Sequence, residues 1–100
     1  MTREEAVALA LASPNREVCG LVIEGVWHPI TNLAKGGNVF IMDMEEVVRV
    51  LQANPGNFSG LWHSHPDGDP DPSGADWDHH PFGMTMYIIT LPDGEVHEYA

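Results

Sequence analysis

An α/β chain of the α+β kind, with one mixed and largely antiparallel sheet flanked by helices, is what this sequence predicts. Two stretches, residues 2–13 and 43–53, carry helix-capping signatures. The runs around them are short, rich in Val, Ile and aromatic residues, and joined at Glu24-Gly25 and Pro92-Asp93-Gly94 by hairpin-type turns. The total of 100 residues is room for one domain, with no repeat or linker.

Thr2 opens the first helix with Glu5 in the capping-box position, and strong helix formers follow until Pro14 stops them. Its Val7, Ala10 and Leu11 share a face expected to pack on the sheet. Residues 18–23 and 26–30 read as a hairpin about Glu24-Gly25, and residues 39–42 as a further short strand. Asp43 caps the second helix with Glu46 at the box position, and Met44, Val47, Val48 and Leu51 form its apolar stripe until Asn54-Pro55-Gly56. Residues 58–62 read as a buried strand leading to the histidines. A short helix over 74–79 ends before Pro81-Phe82-Gly83, residues 84–91 form a strong strand, and 95–99 return as an edge strand.

Composition narrows the function. Hydrophobic residues make up 43% of the chain, enough for a core, while four basic against fifteen acidic side chains give a net charge of −11. Such a field repels nucleic acid and anionic membrane surfaces, so neither is an expected partner. One cysteine, Cys19, cannot form an internal disulfide, and the chain has neither a signal-peptide pattern nor an apolar run of spanning length. A reducing cytoplasm is the expected compartment, and Cys19 is expected to be a small buried side chain.

The chemistry concentrates between Leu61 and Asp76. His63 and His65 are two apart beside a buried strand, so both imidazoles point to one side. After a Pro- and Asp-rich loop, Ser73 reads as an N-cap with Asp76 at the box position, which lets a carboxylate return toward the strand end. Two imidazoles and a carboxylate are a ligand set that zinc accepts in catalytic sites, where the fourth position stays open to water. Four neighbouring aspartates, Asp67, Asp69, Asp71 and Asp78, suggest a calcium loop instead. Its sixth position holds Pro72 rather than Gly, however, and its twelfth Asp78 rather than Glu.

The pattern His-x-His, seven residues, Ser, two residues, Asp resembles the JAMM (MPN-plus) metalloproteases, and His63, His65, Ser73 and Asp76 fill each position. Glu17, in Glu17-Val18-Cys19-Gly20-Leu21-Val22, resembles the acidic residue of the family's opening segment. The likeness covers nearly the whole chain and implies an MPN/JAMM-like, cytidine-deaminase-like architecture. It also implies one zinc ion per chain held by His63, His65 and Asp76, with Glu17 as acid/base and Ser73 as oxyanion stabiliser.

These roles agree with elementary chemistry. Zinc lowers the pKa of a bound water to about 7, a non-ligating carboxylate such as Glu17 suits the proton shuttle, and a hydroxyl such as Ser73 suits a developing oxyanion. The resemblance implies a peptide or isopeptide hydrolase, and because no stretch between Ile30 and Phe58 or after Asp76 is long enough for an elaborate lid, the expected substrate is a flexible C-terminal tail with small residues such as Gly beside the cut. The substrates it suggests are ubiquitin-like proteins or a phage tail component, because the opening segment looks most like the prokaryotic and phage tail-assembly (K-type) branch. An NlpC-type peptidase domain, often joined to the phage branch, is not expected within these residues. Two rivals stand beside this reading: a non-catalytic MPN scaffold, and a closed structural zinc site in which His79 supplies a fourth ligand.

Overall fold

The computed structural model describes residues 1–37 and 39–100. In chain order the elements are α1 (Arg3–Leu11), β1 (Cys19–Ile23), β2 (Val26–Ile30), α2 (Met44–Ala53), β3 (Phe58–His65), α3 (Gly74–Asp78), β4 (Thr85–Thr90) and β5 (Val96–Tyr99). One five-stranded sheet runs β2-β1-β3-β4-β5. All its pairs are antiparallel except β3 with β4, which are parallel. A parallel pair needs a crossover, and the segment carrying the Asp-rich loop and α3 supplies it.

The sheet has helices on both faces. Ala6 and Ala10 of α1 pack with Val22, Trp27, Trp62 and Ile89 on one side. Val47 of α2 packs with Leu21, Ile23 and Ile30 on the other. Alternation along β3 then sends Trp62 toward α1, and Leu61, His63 and His65 toward the α2 side. No helix among the described residues is long and apolar enough to cross a membrane.

Local signals are realised as hydrogen bonds. Thr2 and Glu5 form a reciprocal capping box, and Asp43 accepts from the amides of Glu45 and Glu46. The hairpin turn puts Glu24 at φ 50° and Gly25 at φ 75°, the paired left-handed conformation of a type I′ turn. Gly20 is required by packing: a Cβ there would lie 2.0 Å from the His28 carbonyl oxygen and 2.4 Å from Trp62 Nε1.

Five expectations need correction. Residues 39–42 form no strand; only an isolated bridge joins Met42 to Asn32, because side-chain bonds take the backbone groups a ladder would use. Strand β3 does not stop at Trp62 but continues through both histidines, since Ser64 and His65 stay in register with Ile89 and Thr90 of β4. In α1 Ala10 and Val7 pack on the core as expected, but Ala6 completes the buried stripe in place of Leu11, which is 45% exposed, because a close-packed helix selects small residues at its contact line. In α2 only Val47 is buried, with Leu51 packed partly buried against the same cluster, while Val48 is 49% exposed and Met44, 64% exposed, lies at the rim of a groove beside Phe40 and Val47. Glu46 does not close a capping box either; its Oε1 accepts from the Thr31 amide at 3.0 Å and ties α2 to the end of β2.

Candidate metal centre

Three elements bring the site together. Strand β3 supplies His63 and His65 on one face, and α3 supplies Asp76 from its first turn. The segment leading into β1 supplies Glu17. That segment is fastened beside β3 by Ser64, whose Oγ accepts from the Val18 amide at 2.9 Å while its own amide donates to the Val18 carbonyl at 2.9 Å. Odd-numbered residues there face the α2 side, so Glu17 turns toward the histidines, and it is buried.

The distances are those of a cation cage. His63 Nε2 lies 3.1 Å from His65 Nε2, and Asp76 Oδ2 lies 3.3 Å from the first and 3.2 Å from the second. Ligand atoms about 2.0–2.1 Å from a tetrahedral zinc stand roughly 3.3–3.4 Å apart. His65 Nδ1 lies 2.6 Å from the Asp69 carbonyl oxygen, which can only accept, so this nitrogen carries the proton and Nε2 of the neutral ring offers a lone pair to the site. Lone pairs of Nε2 and a carboxylate at 3.2 Å repel unless a proton or a metal ion lies between them. The donor set therefore fits a divalent metal ion.

Glu17, His63 and His65 each present a ligand atom within 4.8 Å of the others, so the glutamate stands within reach of the same ion. The Asp76 contacts to the imidazoles are shorter, which favours Asp76 over Glu17 as the third ligand. The Glu17 Oε1 atom is buried and has no hydrogen-bond partner among the described residues. Such an atom is costly unless water or an ion completes it.

Titration behaviour follows the same geometry. Burial pushes the Glu17 carboxyl up to about 7, against an opposing pull from His65. Burial lowers His63, only partly offset by Asp76. Without an ion, burial works against protonation of His65 too, but bonds to Asp76 and to the Asp69 carbonyl outweigh it and lift the imidazole to about 9, so that Nε2 then carries the proton whose place a metal ion would take. Burial would raise Asp76, yet the two imidazoles and the Ser73 amide hold it well below the usual carboxylate range.

Ser73 and Asp76 form a reciprocal box. Asp76 donates its amide to Ser73 Oγ at 3.0 Å, and the Ser73 amide donates to Asp76 Oδ2 at 2.9 Å. The hydroxyl accepts here, which leaves its hydrogen free to donate. His79 closes α3 as an exposed C-cap on the rim of the groove that also reaches His63 and Asp76. Asp67 and Asp69 accept from the amides of Asp69 and Asp71, so both carboxylates stabilise their own loop. Glu24 accepts from the Asn57 amide at the far end of β1. Cys19 is buried, and desolvation pushes its thiol up to about 12.

Several supporting residues carry no signal in sequence. Phe40 stacks on the His63 ring at 4.6 Å and 29°, although it sits in an irregular loop. The Asp69 carbonyl that orients His65 is a backbone group. Ser64 lies between the two histidines, a place from which its bond to Val18 is not readable. Phe40, Met42, Val47, Phe58 and Leu61 line an apolar groove of about 360 Å³ that opens on His63 and Asp76.

Known proteins share this arrangement of chain and fold. The chain is 34% identical over 104 residues to a protein named desampylase from Haloferax volcanii, covering 91% of this chain and 75% of that one. A solution structure of a Desulfitobacterium hafniense protein superposes with a TM-score of 0.69 at 27% identity, covering 96% of this chain and 84% of the other. A Salinibacter ruber protein has the same fold, with a TM-score of 0.64 at 22% identity over 97% of this chain and 76% of its own. The model of the prokaryotic homologs of the JAB domain matches residues 2–99, and the chain belongs to that family, which resembles the JAMM proteins in the motif residues noted above.

Proposed function

We propose that this protein is a zinc-dependent hydrolase of peptide or isopeptide bonds that acts on the flexible, Gly-rich C-terminal tail of a conjugated protein. The observation that carries this reading is the convergence of His63 Nε2, His65 Nε2 and Asp76 Oδ2 at 3.1–3.3 Å beside a buried, unpartnered Glu17 oxygen. The likeness to a desampylase supports a protein conjugate ahead of a phage tail component.

His63, His65 and Asp76 would hold the ion, with Asp69 keeping the His65 ring in the tautomer that offers Nε2. Bound there, zinc supplies Lewis acidity that makes hydroxide available from water near neutral pH. Glu17, buried beside the ligands with its Oε1 unpartnered among the described residues, is placed to accept a proton from water at Oε1 and return it to the leaving amine. The Ser73 hydroxyl, already an acceptor from Asp76, has its hydrogen left to donate to the carbonyl oxygen as negative charge develops.

The apolar groove beside His63 suits a large apolar side chain a few residues back from the cut, while Gly at the cut itself lets the main chain approach the ligands. The tail would lie extended and bind chiefly through its main chain. The test is a panel of peptides and isopeptides with Gly or bulky residues before the cut, assayed with and without a chelator. Chelator-sensitive cleavage after Gly is expected. Cleavage indifferent to the residues before the cut would overturn the tail model, and zinc-loaded protein that cleaves no member would favour the scaffold reading.

A further inference from the structure

The side chain of Asn32 uses its whole hydrogen-bonding capacity on backbone groups around the site. Its Nδ2 donates to the carbonyls of Glu17 at 2.9 Å and Val39 at 3.2 Å. Its Oδ1 accepts from the amides of Ala34 at 2.9 Å and Ile41 at 3.0 Å. A primary amide has two donor hydrogens and two acceptor lone pairs, so nothing is left over. Arg16 reinforces the same point, since its Nη2 donates to the Asn32 carbonyl at 3.2 Å and also to the Ala34 carbonyl.

These bonds join two parts of the site that the backbone alone does not hold together. One is the neck of the segment carrying Phe40, whose ring lies 4.6 Å from His63, with Val39 and Ile41 as its immediate neighbours. The other is Glu17, held at its own carbonyl. Apart from Asn32, the described part of 33–42 is tied by the Asn32–Met42 bridge, made by the Leu33 amide to the Ile41 carbonyl at 2.8 Å and the Asp43 amide to the Thr31 carbonyl at 3.1 Å, and by the Arg16 bond to the Ala34 carbonyl.

We propose that Asn32 is a positioning residue: it sets Phe40 against the His63 imidazole and fixes the backbone of Glu17, so that ligand and proton carrier keep their relative placement. Its catalytic consequence rests on the hydrolase reading above; its effect on His63 does not. Partners that orient ligands in this way typically change metal affinity or activity by about 10- to 100-fold when removed. An aspartate at the position would keep both acceptor bonds but lose both donors, and would set a carboxylate against the Glu17 and Val39 carbonyls.

The experiment compares full-length Asn32→Ala, Asn32→Asp and Phe40→Leu with the unmodified protein, each metal-free and zinc-loaded. Amide exchange and the ring-proton shifts of His63 are followed by NMR. In Asn32→Ala the Ala34 and Ile41 amides should exchange at least about tenfold faster, and the His63 signals should lose the ring-current shift due to Phe40. Zinc affinity or turnover should fall about 10- to 100-fold. Phe40→Leu should reproduce the His63 change while leaving both amides slow. His63 signals and zinc affinity unchanged in Asn32→Ala would overturn the proposal, and if that variant does not fold, the same result in Asn32→Asp would do so. A protein that cleaves nothing would refute the hydrolase reading instead, while the His63 signals would still decide the role of Asn32.

Discussion

Asp76 Oδ2 lies 3.2 Å from Nε2 of His65 while also accepting the Ser73 amide at 2.9 Å, so a single oxygen caps α3 and faces the imidazoles. The crossover from β3 to β4 is thus pinned at the point where the ligands meet. Metal binding and the first turn of α3 should therefore be coupled.

Replacing His63 or His65 with Ala should reduce zinc from one per chain to a small fraction, measured by elemental analysis after reconstitution. Two ligands cannot maintain a tetrahedral site. Asp76→Ala should lose zinc as well and cost about 1 kcal/mol through the opened capping box. Full zinc stoichiometry in both histidine variants would remove the metal assignment.

Glu17→Ala should keep the metal and lose hydrolysis by roughly 10²- to 10⁴-fold, because a proton carrier contributes to the rate without being a ligand. Zinc content and rate need to be measured on one sample. Unchanged turnover would transfer the role to solvent, since Glu24 is occupied with Asn57 at the other end of β1.

Cys19 should resist alkylation in the folded protein at pH 8. With its thiol pushed up to about 12 by burial, only about one molecule in 10⁴ carries the thiolate at that pH. Modification should then follow unfolding, and its rate in graded denaturant should track loss of the native circular dichroism signal. Rapid labelling of native protein would show that the N-terminal end of β1 near Glu17 opens locally.

Gly20→Ala should destabilise the protein by about 1–3 kcal/mol or prevent folding, because the obstacle 2.0 Å from the new Cβ is the His28 backbone carbonyl, which cannot turn aside. Gly74→Ala is the contrast. Nothing lies within 4 Å of a Cβ there and its φ is not positive, so thermal unfolding should be unchanged or shifted upward.

The amino-acid sequence by itself determined the features whose hydrogen bonds close within a few residues. The Thr2–Glu5 and Ser73–Asp76 boxes, the Glu24-Gly25 turn and the common face of His63 and His65 are of this kind, since helix and strand periods are local properties. Only the tertiary structure decided that Asn32 would clamp Glu17 from 15 residues away and that Ser64 would fasten Val18 from 46. It also decided that Phe40 would lie on His63 from a segment that reads as a strand and is not one. Those contacts depend on the register of β1 against β3 and on side chains competing for backbone groups. Both are set by burial across the whole sheet, which no window of sequence contains.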